Sequence, residues 1–117
     1  MANEFKRNVG GKISKDDAMK WIEKYDKEVR KDKAKDTKSV FYGRDVLLNI
    51  LSDESVAGIT FFLGLKQNDA VNKETVQLIM VPTKEDGTQV WADGSEEAKA
   101  GGGAVAFDGG YQCPPYC

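Results

Sequence analysis

The chain has 117 residues and a mass of 12.9 kDa, which is enough for one domain and too little for two of ordinary size. Its composition is 40% hydrophobic and 31% charged, so a packed core is feasible and general disorder is not expected. The formal net charge of −2 argues against broad nucleic-acid binding, and the lack of histidine excludes every mechanism that needs an imidazole base or metal ligand.

The start of the chain predicts a flexible lead-in over residues 1–13, which contains Gly10 and Gly11. This segment has no apolar run of signal-peptide length. The most apolar stretch of the chain, residues 59–65, is far too short to cross a membrane. The sequence therefore predicts a protein without a membrane span that works in the cytoplasm, and an export route without such a signal stays open.

The spacing of apolar residues after Ser14 predicts a first helix over residues 15–33. Ser14 can cap the amino end, and Asp17 follows three residues later, as in a capping box with Asp in place of Glu. The residues that share one apolar face of this helix are Ala18, Ile22, Tyr25 and Val29, flanked by Met19 and Trp21.

The opposite face of the first helix is rich in lysine. Its members are Lys20, Lys24, Lys27 and Lys31. The simpler interpretation of this lysine face is a solvated surface, and the sharper one is a docking face for an acidic partner. Residues 1–38 carry twelve basic and eight acidic side chains, and the rest of the chain carries five and eleven. The opposite net charges of the two parts favour either of two arrangements: packing of one part on the other within a chain, or head-to-tail association of copies.

The middle of the chain predicts one further helix and a hairpin. Residues 39–42 are β-prone and form either an extended entry or a first helical turn, with Gly43 slightly favouring the extended conformation. Residues 44–52 are expected to form the second helix. Residues 56–65 and 75–82 alternate in polarity and predict two antiparallel strands, joined by the polar connection 66–74. Both faces of this hairpin carry apolar residues, so we expect helices on one face and the tail or a second subunit on part of the other.

The sequence becomes less regular after Pro82. Residues 88–91 predict a third short strand and residues 104–107 a last edge strand, with a glycine hinge at residues 101–103 between them. The expected fold class is α+β, with two N-terminal helices packed on a three- to four-stranded, mainly antiparallel sheet. This single domain is expected to span residues 14–108, followed by a tail over residues 109–117.

The tail ends in Cys-Pro-Pro-Tyr-Cys, and Cys113 and Cys117 are the only cysteines of the chain. In a polyproline II conformation their Cα atoms would lie about 12 Å apart, whereas a disulfide needs about 4.4–6.8 Å. An internal bridge therefore requires a tight turn, which a cis Pro115 would supply. The aromatic rings of Tyr111 and Tyr116 are positioned to pack on the rings of Pro114 and Pro115.

Several interpretations of the tail remain open. Four of them assign the tail a structure or a role: a disulfide-closed loop, a thiol pair for redox or metal-relay chemistry, half of a zinc site that two chains share, and an extended ligand for a partner. The Cys-Pro-x-x-Cys spacing is similar to that of copper-relay proteins with a thioredoxin-like fold, but those also use a histidine. Cleavage after Gly110 and a flexible tail with incidental cysteines are the remaining alternatives.

The order of segments resembles a group of small bacterial proteins of the Bacteroidota type. The residues that carry the resemblance are the amphipathic helix, SVFYGRDVLLNIL, GITFFLGL, TVQLIMVPTKEDG and the final CPPYC. The group consists of uncharacterised proteins of about this length that end in Cys-Pro-Pro-x-Cys. The resemblance implies a bacterial origin and a tail that belongs to the protein, and it implies no activity.

Motifs of enzymes are missing from the sequence. There is no GxSxG, phosphate-binding loop, HExxH, dinucleotide fingerprint or calcium loop. Paired carboxylates such as Asp16 and Asp17 lie in polar segments typical of caps and loops. We therefore expect a non-enzymatic protein without a cofactor or resident metal that binds a protein partner or itself. The alternative is a small thiol-redox or metal-binding protein that acts through Cys113 and Cys117.

Overall fold

The computed structural model describes residues 4–91 and 106–117 of the chain. In chain order it contains helix α1 (Lys15–Glu28), strand β1 (Ser39–Phe41), helix α2 (Arg44–Leu51) and strands β2 (Gly58–Asn68), β3 (Lys73–Thr83) and β4 (Tyr111–Cys113). The α+β class, the two helices and the antiparallel strand pairing agree with the prediction. The prediction of one sheet is wrong, because the four strands form two separate two-stranded sheets.

Helix α1 begins as the capping pattern predicts. The backbone N–H of Asp17 donates to Ser14 Oγ at 3.1 Å, and Asp16 and Asp17 lie in the first turn, where negative charge favours the helix dipole. The helix ends at Glu28 and not at residue 33. The chain leaves the helix there because the guanidinium of Arg30 is buried and donates to the backbone carbonyls of Lys33 and Asp36, which fold the next segment back.

The long hairpin of β2 and β3 pairs all eleven residues of each strand, with Leu63 opposite Leu78 at its centre. Both strands extend further into the connection than the polarity pattern predicts, since Asn68 still pairs with Lys73. Backbone hydrogen bonds of a ladder do not depend on apolar side chains. The turn is closed by the carbonyl of the Asn68 side chain, which accepts from Ala70 N at 3.2 Å, and by the left-handed backbone of Asn72.

The second sheet joins distant parts of the chain. Residues 39–41 form β1, which agrees with the expected extended conformation, and they pair antiparallel with β4 so that Val40 lies opposite Gln112. The predicted strands at residues 88–91 and 104–107 are reduced to isolated bridges, Thr83 with Gln89 and Met80 with Phe107. The remainder of the predicted edge strand and the predicted glycine hinge lie outside the described residues.

The hydrophobic core lies where α2 covers the end of the hairpin. Its centre is formed by Ile50 of α2, Val56 and Met80 of β3, which are almost completely buried. The residues that pack around this centre are Tyr42, Val46, Leu47, Ile59, Val90 and Phe107. Helix α2 thus ends one residue earlier than predicted and packs Ile50 on the hairpin with Val46 and Leu47 beside it, whereas Leu51 is 47% exposed.

Helix α1 packs differently from the prediction, because none of its residues is buried. Its carboxyl end approaches the hairpin across a shallow groove that Tyr25, Val29 and Leu65 line. The hydroxyl of Tyr25 donates to the carbonyl of Thr37 at 3.3 Å. The rest of the apolar stripe remains exposed, including Trp21, which is 67% exposed. Among the described residues, α1 is thus fixed at its carboxyl end only.

Candidate interaction site

The end of the chain is a closed loop attached to β4. Cys113 and Cys117 form a disulfide, with their Cα atoms 4.8 Å apart, and the peptide bonds that precede Pro114 and Pro115 are both cis. Cys113 is buried in the second sheet, whereas Cys117 is exposed. The structure therefore contains the tight turn that an internal bridge requires. A redox or metal-binding role for the two cysteines stays a prediction.

Tyr111 and Tyr116 stack on each other in this loop. Their ring centroids lie 4.2 Å apart with an interplanar angle of 16°, which is a stacked aromatic pair. Both tyrosines remain more than half exposed. The carbonyl of Pro114 accepts from the Asn68 side chain at 3.3 Å, which links the loop to the tip of the hairpin. The loop thus presents an aromatic surface close to the turn between β2 and β3.

Gln112 attaches the end of the chain to the hairpin. Its side chain is buried, and the two N–H groups of Nε2 donate to Thr75 Oγ1 at 2.8 Å and to the carbonyl of Val76 at 2.6 Å, with Thr37 Oγ1 also within reach at 3.2 Å. No pattern in the sequence predicts this role of Gln112, because a single glutamine between Tyr111 and Cys113 carries no signal of burial. The tail is held by this buried contact as well as by the strand pairing.

The outer edge of β3 is covered by other parts of the chain. The carbonyl of Val76 accepts from Thr37 and Gln112, and the carbonyl of Leu78 accepts from the hydroxyl of Tyr42 at 2.6 Å. Burial raises the pKa of Tyr42, so its hydroxyl remains a donor. Further along the edge, Met80 exchanges backbone hydrogen bonds with Phe107. This edge of the hairpin therefore has no room for another strand.

The outer edge of β2 is different. Val76, Leu78 and Met80 of β3 direct their backbone groups away from β2. Their partners in the ladder, Leu65, Leu63 and Phe61, therefore direct theirs outward as well. Within residues 4–91 and 106–117, no backbone hydrogen bond to those outward groups is formed. Three of the outward residues also have highly exposed apolar side chains: Phe61 at 50%, Leu63 at 74% and Leu65 at 71%. We call these three residues the β2 row.

The β2 row was expected to be covered. Its alternating pattern predicts a strand with one face toward a core, and the structure places Ile59 of the same face against the core. Helix α2 is too short to continue along the hairpin beyond this point, because eight helical residues extend about 12 Å while eleven strand residues extend more than about 35 Å. The remaining apolar part of the face is consequently exposed among the described residues.

The predicted lysine face is only partly helical. Lys20, Lys24 and Lys27 lie on α1 and are exposed, whereas Lys31 follows the end of the helix and is no longer part of its face. The helix places these lysines opposite its exposed apolar stripe. Whether they dock an acidic partner stays a prediction, since exposed lysines are also what a solvated face contains.

The charged residues around Arg30 form a structural cluster. Arg30 pairs with Asp26 one turn earlier in the chain, and Lys73 Nζ donates to Asp36 Oδ1 at 2.7 Å. The hydrogen bond from Arg30 lowers the pKa of Asp26, and that from Lys73 lowers the pKa of Asp36. Asp36 in turn raises the pKa of Lys73. Each charge has a partner of opposite sign, so the cluster fixes the segment after α1 on the hairpin.

The described residues hold no group of three or more Cys, Asp or Glu side chains arranged to bind a metal ion. No helix in this part of the chain combines the length and apolar character needed to span a membrane. Comparison of the chain with protein-family models, with curated proteins and with solved structures finds no match. The resemblance to small Bacteroidota-type proteins therefore stays a prediction from the sequence.

Proposed function

We propose that this chain is a non-enzymatic protein that works by binding protein surfaces, its own copies in the first place. The observation that carries the proposal is the β2 row, where three neighbouring apolar side chains are at least half exposed beside a strand edge. Contiguous exposed apolar side chains of this kind usually mark an interaction surface. The cytoplasmic location and the bacterial origin are part of the same proposal and rest on the sequence.

The apolar stripe of α1 supports the proposal independently. Trp21 is 67% exposed and Val29 is 57% exposed, although their spacing is that of a packed helix face. The exposed Lys20, Lys24 and Lys27 on the other side would add attraction to an acidic protein surface, such as the part of a second copy that follows residue 38.

Sedimentation velocity of the full chain, from low micromolar to millimolar concentration, tests the proposal. We expect the average mass to rise with concentration above the 12.9 kDa of one chain. A parallel series in high salt separates the apolar from the charged contribution, because salt screens only the second. A mass that stays at one chain over the whole range would contradict self-association.

The alternative function is thiol-disulfide exchange by Cys113 and Cys117. The exposure of Cys117 favours it, since an external thiolate needs access to a sulfur atom. The thiolate of a dithiol partner would attack Cys117 Sγ, form a mixed disulfide and release Cys113 as the thiolate. The second thiolate of the partner would then attack the partner sulfur of that mixed disulfide and release Cys117, so that the partner is oxidised to a disulfide and both cysteines of this chain are reduced. Thiol titration with and without reductant, followed by measurement of the reduction potential, tests this function.

A further inference from the structure

We propose that two copies of the chain pair antiparallel along the outer edge of β2, with Leu63 of each copy opposite Leu63 of the other. The two hairpins then form one continuous four-stranded sheet. This inference rests on the proposed function, because it names the surface and the partner through which the chain associates. Addition of a strand to an exposed sheet edge is a common mode of protein recognition.

The geometry of the hairpin leaves this edge as the place for another strand. The β3 edge is occupied by Thr37, Tyr42, Gln112 and Phe107, as described above. The β2 edge carries outward backbone groups over its whole length, and within the described part of the chain they have no backbone partner. Natural proteins keep their uncovered edge strands short or charged. At eleven residues, with exposed apolar side chains, β2 is longer than such edge strands usually are.

The register follows from the length of the strand. Leu63 is the central residue of Gly58–Asn68, so a two-fold axis at Leu63 is the one position that pairs all eleven residues of both copies. Residues with outward backbone groups then face each other, as an antiparallel ladder requires. Any other register leaves part of the strand without a partner.

The side chains are self-complementary in this register. On one face Phe61 lies opposite Leu65 of the second copy, so the two β2 rows form a continuous apolar strip around the central Leu63 pair. On the other face Phe62 lies opposite Gly64 of the second copy, where the missing side chain leaves space for the aromatic ring. Lys66, the only charged residue of the strand, meets a threonine rather than a second lysine.

A second copy fits the β2 row better than the undescribed internal segment of the same chain does. Residues 92–105 contain a single apolar side chain larger than alanine, Val105, so they cannot provide a strip that matches three large apolar side chains. The β2 row of a second copy provides three large apolar side chains of its own. Pairing therefore removes the β2 rows of both copies from water at the same time.

Leu63→Lys tests the inference by placing two positive charges opposite each other on the two-fold axis. Leu63 is 74% exposed, so the monomer is expected to fold. We expect self-association, measured by sedimentation, to weaken at least about tenfold. The matched control is Leu48→Lys on α2, where a leucine that is 49% exposed lies away from the edge and association should be unchanged.

Cross-linking tests the register itself. In the proposed pairing the Cα atoms of the two Leu63 residues lie about 5.5 Å apart, within the range of a disulfide. Mild oxidation should therefore convert Leu63→Cys into covalent dimers. Phe61→Cys should not cross-link with itself, because its two copies are displaced by about 14 Å along the strands, but it should cross-link with Leu65→Cys in a mixture.

The outcomes separate the inference from the proposed function. If the chain associates but Leu63→Lys leaves association unchanged, or Leu63→Cys fails to cross-link, the β2 pairing is overturned and self-association through another surface stands. If wild-type protein remains a monomer at every concentration, both are overturned. Loss of association in Leu63→Lys together with the predicted cross-link pattern supports both.

Discussion

Gln112 Nε2 lies 2.8 Å from Thr75 Oγ1, and both side chains are buried. This hydrogen bond joins β4 of one sheet to β3 of the other, over a sequence separation of 37 residues. The same amide also reaches the carbonyl of Val76. The closed loop at the end of the chain thus sits on a buried polar contact that belongs to the body of the protein.

Gln112→Ala is expected to lower the free energy of unfolding by about 1–3 kcal/mol, because the buried Thr75 hydroxyl loses its donor and the Val76 carbonyl keeps only Thr37. Urea denaturation measures the change. Gln89→Ala is the control, since Gln89 is exposed and its bridge to Thr83 uses backbone groups; its effect should stay within about 0.5 kcal/mol. Equal effects of the two substitutions would show that the Gln112 contact does not stabilise the fold.

Gly110→Ala is expected to destabilise the fold by about 1–3 kcal/mol. A Cβ at Gly110 would lie 2.5 Å from both the Tyr42 ring and Val40 Cγ1, so the second sheet would have to shift. Gly43→Ala is the matched control, because its Cβ would meet no atom within 4 Å and its backbone conformation suits any residue. Thermal unfolding of both variants checks the prediction, which would be wrong if Gly110→Ala melted with the wild type.

The Asp36–Lys73 pair predicts a pH dependence of stability. Since Lys73 lowers the pKa of Asp36 below 3.8 in the folded state, the carboxylate stabilises the fold above that pH. This contribution is lost as the pH falls through the lowered pKa. The pKa of Lys73 is raised above 10.5, so its ammonium group has its full stabilising effect on the fold below pH 10.5. This effect is lost as the pH rises through the raised pKa.

A double-mutant cycle of Asp36→Asn and Lys73→Met measures this coupling. We expect a favourable coupling energy at neutral pH that disappears at a pH well below 3.8, where the carboxyl is protonated. Both side chains are partly exposed, so the coupling should be small and should decrease in high salt. A coupling energy that is the same at acid and neutral pH would contradict the assignment.

Reduction of the Cys113–Cys117 disulfide should have a modest effect on stability. The bridge closes a loop of five residues, for which the loss of chain entropy on cross-linking amounts to about 2 kcal/mol. We expect Cys117→Ser to lower the free energy of unfolding by no more than this, and reductant to have no further effect on that variant. Denaturation with and without reductant measures both. A much larger loss of the free energy of unfolding would mean that the disulfide also stabilises parts of the fold outside the loop that it closes.

Sequence patterns predicted the helix and strand segments that depend on residues close together in the chain. Ser14 and Asp17 define the start of α1, and the alternation from Ile59 to Leu65 defines most of β2. The end of α1 was misplaced because it depends on Arg30, whose buried guanidinium meets carbonyls that become available only when the following segment folds back. A periodic pattern contains no information about such a contact.

The second sheet and the exposure of the candidate surface depend on distant residues. Three residues such as Tyr111–Cys113 become a strand only because β1 lies beside them, and no spacing within the tail indicates that partner. Likewise, the apolar alternation of β2 predicts a buried face, while the length of α2 determines how much of it is covered. The cysteine pair was visible in the sequence, and the β2 row as an exposed surface was not.

The pairing of Val40 with Gln112 has a consequence for synthesis on the ribosome. The hairpin and α2 are complete in the chain at residue 83, but the edge of β3 acquires its Gln112 contact only after residue 112 has been made. Until then the β3 edge is covered only in part, at first by Thr37 and Tyr42 alone, so a neighbouring nascent copy meets a partly covered β3 edge as well as the β2 edge. The synthesis of residue 112 therefore marks the point after which the β3 edge can be covered completely and only the β2 edge stays open to other chains.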